Sequence, residues 1–354
     1  MSVRDGGLIY PPAPGSRILI AFDKFRGTAS ALELCEVASD VVRQLGYEPD
    51  VQPLSDGGEG FRDAFSGETF EVQVSGPLGE PEQAHITLVV GDEGPVAVVE
   101  SADAVGRHRL PSPTGDQALA ASSEGVGELV LAAAALGAAS IVVGLGGSAT
   151  SDGGLGCYRV LSEHGGLRVP VVAATDVTAR FSGARRYAHQ KGVREEDLVL
   201  VDERLDHVRA IYLEERGVDV ETLERAGAAG GIPGALAALG ASLVDGLSAV
   251  AGAVDLASRI KSASLVISGE GRFDDGSLEG KVTSGLAAMT DGRAPLLLVC
   301  GAIEPEAQQL LEARFAHVHF VDLSARVGAS RSAADVRGSL REVLHDELRH
   351  DLTS

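Results

Sequence analysis

An apolar run of strand character, Ser140-Ile-Val-Val, breaks directly into Gly144-Leu-Gly-Gly-Ser-Ala-Thr-Ser-Asp-Gly-Gly-Leu-Gly156, which holds six glycines, three hydroxyl residues and one carboxylate, Asp152. The rest of the chain has to be organised around this break. A strand that opens into such a loop exposes backbone N–H groups that no side chain shields, the usual physical route to holding a phosphate or another anion. The loop has no G-x-x-x-x-G-K-[ST] and no strict G-x-G-x-x-G, although Gly144-Leu-Gly146-Gly-Ser-Ala149 fits the looser form ending in Ala. Two readings stand at this point: an anion cradle, or a tight turn with close strand–helix packing.

The same signature recurs along the chain. Arg17-Ile-Leu-Ile-Ala-Phe22 reads as a buried parallel strand and ends in Asp23-Lys-Phe-Arg-Gly-Thr28. A helix over 29–45 follows, capped by Thr28 or Ser30 and stopped at Gly46. A second strand over 50–54 runs into Ser55-Asp-Gly-Gly-Glu-Gly60, with a helix expected from Phe61. Later runs over 169–174, 264–268, 295–301 and 317–322 also end in glycine or carboxylate, and helical patterns separate them, as in parallel α/β folds. In open parallel sheets ligands bind beyond the carboxyl ends of the strands. That placement singles out Asp23, Lys24, Arg26, Asp56 and Glu59, with ordinary Asp-Gly turn chemistry as the alternative. Arg180, Arg185, Arg186, His189, Lys191 and Arg194 form a basic segment after Thr175-Asp-Val177, read either as a phosphate grip or as a solvated loop.

Between residues 70 and 100 the pattern shifts to alternation, as in Phe70-Glu-Val-Gln-Val, which predicts antiparallel or mixed sheet. With 354 residues, two domains are expected. Residues 17–65 with 258–354 form a Rossmann/flavodoxin-like parallel α/β domain, and 66–257 an inserted mixed α/β domain. The cleft between them is a natural small-molecule site. Residues 1–16 are expected as a flexible arm. A net charge of −21 argues against nucleic acid or an anionic membrane as partner. Cys35, Cys157 and Cys300 are odd in number and in no metal spacing, which suits free thiols in a reducing cytoplasm. No signal peptide and no membrane span are expected.

Taken together and in order, several segments carry a family resemblance: Ala21-Phe-Asp-Lys-Phe-Arg-Gly-Thr-Ala-Ser30, Asp56-Gly-Gly-Glu-Gly60, Val74-Ser-Gly-Pro-Leu-Gly79, the 144–154 loop, Gly227-Ala-Ala-Gly-Gly231, Ser268-Gly-Glu-Gly-Arg-Phe-Asp274 and Gly280-Lys281. The sequence resembles the bacterial glycerate kinases of the glycerate 2-kinase type. The resemblance implies ATP-dependent, magnesium-assisted phosphorylation of glycerate to phosphoglycerate, in a cleft between two α/β domains.

Under that resemblance the roles distribute as follows. Phosphoryl transfer needs charge neutralisation, alignment and a group that orients or deprotonates the attacking hydroxyl. Asp176 is placed nearest that hydroxyl, and Lys281 and Arg26 offset charge on the transferred group. Gly146, Gly147 and Ser148 cradle phosphate, with Asp23, Asp56, Gly57, Gly58, Glu59 and Gly271 as further phosphate or substrate contacts. Asp152, Glu270 and Asp274 are the oxygen ligands suited to magnesium. A homodimer is left open. Two departures bear on the substrate. The family's Asp-Ser-Phe-Lys-Gly-Ser reads Asp23-Lys-Phe-Arg-Gly-Thr28 here, and its Cys-Asp-Val-x-Asn-Pro-Leu reads Thr175-Asp-Val-Thr-Ala-Arg-Phe181. They keep open a kinase for another small hydroxy acid or polyol, or an inactive ligand-binding relative.

Overall fold

The computed structural model describes residues 12–25, 27–58, 60–91, 93–278 and 282–349. Arg26, Glu59 and Lys281 therefore lie outside the described residues, as does most of the expected N-terminal arm. The end of that arm is tied down, because Gly15 N–H donates to Gly46 O at 2.9 Å and Glu48 N–H to Ser16 O at 3.0 Å.

The chain begins with β1 (Arg17–Ile20), a helix (Ala31–Gln44) and β2 (Glu48–Val51). It then passes through β3 (Glu68–Ser75), β4 (Pro81–Gly91), β5 (Gly94–Glu100), β6 (Ser140–Gly144), β7 (Val171–Thr175) and β8 (Ser242–Asp245). It returns with β9 (Leu265–Ser268), β10 (Arg272–Phe273), β11 (Leu296–Cys300), β12 (Ala302–Ile303) and β13 (Val318–Asp322). Two compact units result, 1–56 with 250–354, and 57–249.

The first unit holds a five-stranded sheet in the order β13-β11-β9-β1-β2, and every pairing is parallel. Numbered within the unit, that is 5-4-3-1-2, the flavodoxin-like order read from its other edge. The central strands β1, β9 and β11 are apolar and buried, as in a parallel sheet covered on both faces. The helix Ala31–Gln44 starts at a capping box, in which Ser30 accepts from Glu33 N–H and Glu33 from Ser30 N–H. Its Leu34, Val37, Ala38, Val41 and Val42 recur at helical spacing and pack on Ile18 and Ile20. The C-terminal helix Val336–Leu348 joins the same core through Leu340, Val343, Leu344 and Leu348. Truncating a buried leucine such as Leu34 to alanine costs about 2–5 kcal/mol.

The second unit holds a six-stranded sheet in the order β3-β4-β5-β6-β7-β8. β3, β4 and β5 pair antiparallel, and β5 through β8 pair parallel. This is the mixed sheet expected from the alternation. The stretch Gly115–Ala135 is apolar enough to span a membrane by composition. It is two helices, Gly115–Ala120 and Glu124–Ala135, and Val126, Leu129, Val130 and Ala133 of the second are fully buried in the core. Burial in the protein explains its hydropathy.

Local differences from the expectations have local causes. The helix expected from Phe61 is one 3₁₀ turn, Phe61–Ala64. The helical pattern over 248–260 breaks at Asp255, which takes φ 44° and caps the next helix, Leu256–Ser262. β8 was not anticipated, because its four residues sit among small and polar neighbours without alternation.

Candidate active site

In the first unit the register Ile20↔Ile267 carries Asp23 and Glu270 level with one another, each three residues beyond this pair and just past the ends of adjacent strands. This is where the strand order reverses, the position at which open α/β sheets bind ligands. Two bonds hold the strand ends together: Ser268 Oγ donates to Ala21 O at 2.6 Å, and Asp23 N–H to Gly269 O at 3.4 Å. Gly269 must be glycine, because a Cβ there would lie 1.8 Å from Val299 O. A cavity of about 580 Å³ opens at these ends, lined by Asp23, Lys24, Asp56, Glu270, Arg272 and Asp274 among others. Burial, then the neighbouring Asp56 and, more weakly, Glu270 push the Asp23 carboxyl up to about 7, against the Lys24 N–H bond that favours its anion. Glu270 is held in place by Ser277 Oγ at 2.9 Å and Thr283 Oγ1 at 2.5 Å. Gly271 lines the same cavity.

In the second unit the 144–156 loop leaves β6 and feeds the helix Leu155–Glu163. Asp152 is its staple. Its Oδ2 accepts from Ser123 N–H (2.9 Å), Ser123 Oγ (2.7 Å) and Gly156 N–H (3.2 Å), and its Oδ1 from Gly154 N–H (3.0 Å). A buried carboxylate with both oxygens engaged in this way organises a loop. Asp152, expected as a magnesium ligand, thus has both oxygens engaged within its own unit. Among the described residues no three His, Cys, Asp or Glu side chains are grouped to hold a metal.

Of the proposed cradle, Gly147 takes φ 65° and its carbonyl accepts Arg107 N–H at 2.8 Å. Gly146 O accepts from Ser101 Oγ at 3.4 Å. Buried Ser148 accepts from Lys191 Nζ at 3.1 Å, and Lys191 also donates to Thr150 O at 2.6 Å. Gly227-Ala-Ala-Gly-Gly231 packs behind the loop, where a Cβ on Gly230 would lie 2.0 Å from Thr150 O.

The basic segment divides. Arg185 pairs with Asp202 at 2.8 Å, Arg194 with Asp116 at 2.9 Å, and Arg180 donates to Glu221 O at 3.2 Å, all at the surface. Lys191 alone turns inward, and burial, helped by Arg107 and opposed by Asp152, drags its ammonium down to about 7. The sequence shows Lys191 only as one of several bases; its Gln190-Lys-Gly192 setting is turn-like and has no periodicity that reveals direction. Lys191 lines a second cavity of about 560 Å³ with Arg107, His108, His189 and Gly147.

Asp176 is exposed just past β7. Gly57, φ 95°, comes so close to that strand end that a Cβ would lie 3.0 Å from Thr175 C. Gly58 is buried beside it in the chain. Arg225, a non-glycine residue at φ 72°, donates from Nη1 to Thr175 O at 3.3 Å. Backbone strain of this kind collects at functional sites, and no composition signal marked Arg225.

Comparison with known proteins gives these features a context. The model of the glycerate kinase family matches residues 18–165 and 162–345. An uncharacterised protein of Mycobacterium bovis is 37% identical over 355 residues, covering 94% of this chain and 88% of its own. The glycerate 2-kinase of Escherichia coli is 34% identical over 330 residues, covering 81% and 85%. A Salmonella typhimurium LT2 crystal structure assigned as a glycerate kinase 2 superposes with a TM-score of 0.75 at 27% identity, covering 94% of this chain and 98% of that one. A family match of that extent, on a fold shared over nearly the whole length, settles the assignment: the chain belongs to the glycerate kinase family and is a kinase.

Proposed function

We propose that the chain transfers the γ-phosphoryl group of ATP to glycerate, giving phosphoglycerate. The observation that carries this reading is the acidic cavity at the β1/β9 strand ends, in a chain 34% identical to a glycerate 2-kinase. A nucleotide polyphosphate cannot enter such a cavity as a bare anion. Magnesium fits the donors: burial first, and then repulsion from Asp56, raise Asp23 to about 7, and a dication relieves both. Magnesium is usually held by one or two carboxylates together with water and substrate phosphates, so no trio is required. Asp23 and Asp56 would hold it, with Glu270 kept in place by Ser277 and Thr283. Bound there, it supplies neutralisation of charge on the phosphate oxygens.

The remaining roles fall to the chain's own groups. Asp176 orients or deprotonates the attacking hydroxyl. Lys281 and Arg26 offset charge on the transferred group. The 146–148 segment and Gly271 supply backbone donors. The three buried free thiols suit a cytoplasmic setting.

A second reading, another small hydroxy acid as acceptor, is favoured by one feature: the altered Thr175–Phe181 segment, with strained Arg225 bonded to Thr175 O. A coupled ADP-release assay with magnesium, over glycerate, other hydroxy acids and glycerol, decides between them. Glycerate turnover well above the rest is expected. Turnover of a different acid alone moves the function to the second reading, and no turnover of any acceptor removes both.

A further inference from the structure

The cavity around Lys191 enters the scheme above only through the backbone of the 146–148 segment; the side chains of Arg107 and Lys191 have no role in it. We propose that it seats the carboxylate of the small hydroxy acid, gripped by Lys191 from its buried side and by Arg107 at its rim. The inference rests on the glycerate reading and deepens it.

Three observations carry it. The first is charge. This chain has 51 acidic residues against 30 lysines and arginines, yet the cavity is lined by Arg107, His108, His189 and Lys191 with no Asp or Glu among its walls. A cleft lined by one sign concentrates ligands of the other. The acidic cavity, with Asp23, Asp56, Glu270 and Asp274, repels a free carboxylate.

The second is the state of Lys191. Its two acceptors, Ser148 Oγ and Thr150 O, are neutral oxygens. An ammonium has three donors, so one remains for a ligand. Burying a cation is costly, and even with Asp152 nearby to oppose it, burial leaves the ammonium depressed to about 7. A carboxylate in the cavity supplies a charge within direct reach of the open donor.

The third is preorganisation. Arg107 is fixed to the glycine loop through its N–H bond to Gly147 O at 2.8 Å, next to the Gly106–Ser148 bridge. Lys191 is fixed to the same loop one and three residues further on, at Ser148 and Thr150. One segment therefore carries the Arg107 backbone and the Lys191 ammonium together at the cavity. At about 560 Å³ the cavity is within the range of small-molecule sites.

The test is calorimetric titration of the full-length protein with D-glycerate, glycerol and inorganic phosphate, for the natural sequence, Arg107→Ala and Lys191→Met. Circular dichroism checks folding. Because Arg107 is exposed, its variant keeps the test decisive even where Lys191→Met misfolds. The expected result is a rise in glycerate Kd of tenfold or more in each folded variant, a KM for ATP changed by less than threefold, and no glycerol binding at the same concentrations. A glycerate Kd within twofold in Arg107→Ala overturns the proposal. So does glycerol binding as tightly as glycerate, or phosphate binding more tightly through the same two residues, or no glycerate binding at all. Binding is read without turnover, so the two ideas fail separately. Glycerate bound through Arg107 and Lys191 but never phosphorylated sinks only the glycerate kinase reading. Normal turnover with unaltered binding in the variants sinks only this one.

Discussion

Asp152→Asn separates a loop staple from a metal ligand. In the native loop four donors converge on one carboxylate: Ser123 N–H and Oγ and Gly156 N–H on Oδ2, and Gly154 N–H on Oδ1. Asparagine fills the same volume but replaces one oxygen with a donor. In the milder placement its amide nitrogen takes the Oδ1 position and leaves one buried backbone N–H without an acceptor, a cost of about 1–3 kcal/mol. The other three bonds lose their charge assistance, roughly 1 kcal/mol each, since bonds to charged groups contribute about 1.5–3 kcal/mol against about 0.5–1.5 for neutral ones. The expected total is about 5 kcal/mol. For a unit spanning residues 57–249, at about 2–4 °C per kcal/mol for this size class, the melting temperature should fall by about 10–20 °C. Thermal unfolding followed by circular dichroism reads this, and a magnesium titration of kinase activity is run beside it. A staple predicts the thermal shift with an unchanged magnesium requirement. A melting temperature within about 2 °C of the natural protein, with a tenfold higher magnesium requirement, would refute the staple and make Asp152 a ligand.

Three further predictions follow from the same geometry. Asp176→Ala should abolish most turnover and leave the melting temperature within a few degrees, because the residue is exposed; full activity in steady-state assays removes it from the chemistry. Gly230→Ala puts a methyl 2.0 Å from Thr150 O at φ 77°, so it should destabilise by more than about 2 kcal/mol from the left-handed backbone and the clash together. A urea midpoint shift worth under about 0.5 kcal/mol would show that the two segments are not in contact. Asp23 binds its proton more tightly in the folded chain than in the unfolded one, about 7 against 3.8. The stability it contributes is therefore complete below the unfolded value and is lost as pH rises through about 7. Without magnesium, melting temperatures should decline between pH 5 and 8 more in the natural protein than in Asp23→Asn, and equal slopes would contradict the burial and repulsion assigned to Asp23.

Much of the fold was legible because its causes are local. The apolar runs at 18–22, 265–268 and 296–300 are buried on both faces, so every residue in them reports the same environment. The capping box at Ser30 and the alternation before Gly91 likewise declare their elements within a few residues. β8 stayed hidden because its pairing partner, β7, lies roughly seventy residues earlier. The break at Asp255 stayed hidden because helical spacing continues on both sides of one left-handed residue.

The site was legible to a different depth. Carboxylates past strand ends pointed to Asp23 and Glu270, and the parallel register delivers both to one cavity. Glycine content, by contrast, cannot distinguish a cradle from close packing, because the loop does both. A Cβ on Gly144 would meet Phe61 at 2.8 Å, on Gly153 Val208 at 3.0 Å, on Gly154 Ala235 at 2.6 Å, and on Gly156 Ser122 at 2.5 Å, so these four glycines are set by packing. Gly147 differs: its left-handed backbone gives its carbonyl to Arg107, and it faces the cavity that Lys191 also lines. The two explanations first offered for the loop are therefore not rivals. Packing glycines and the Asp152 staple hold the far half of the segment rigid, and that rigidity fixes the near half, where Ser148 and Thr150 anchor a buried lysine at an open cavity. A flexible loop would let Lys191 swing to water and recover its hydration. A stapled one keeps the charge buried with one donor open to the cavity, which is the condition under which a small anion gains most by binding.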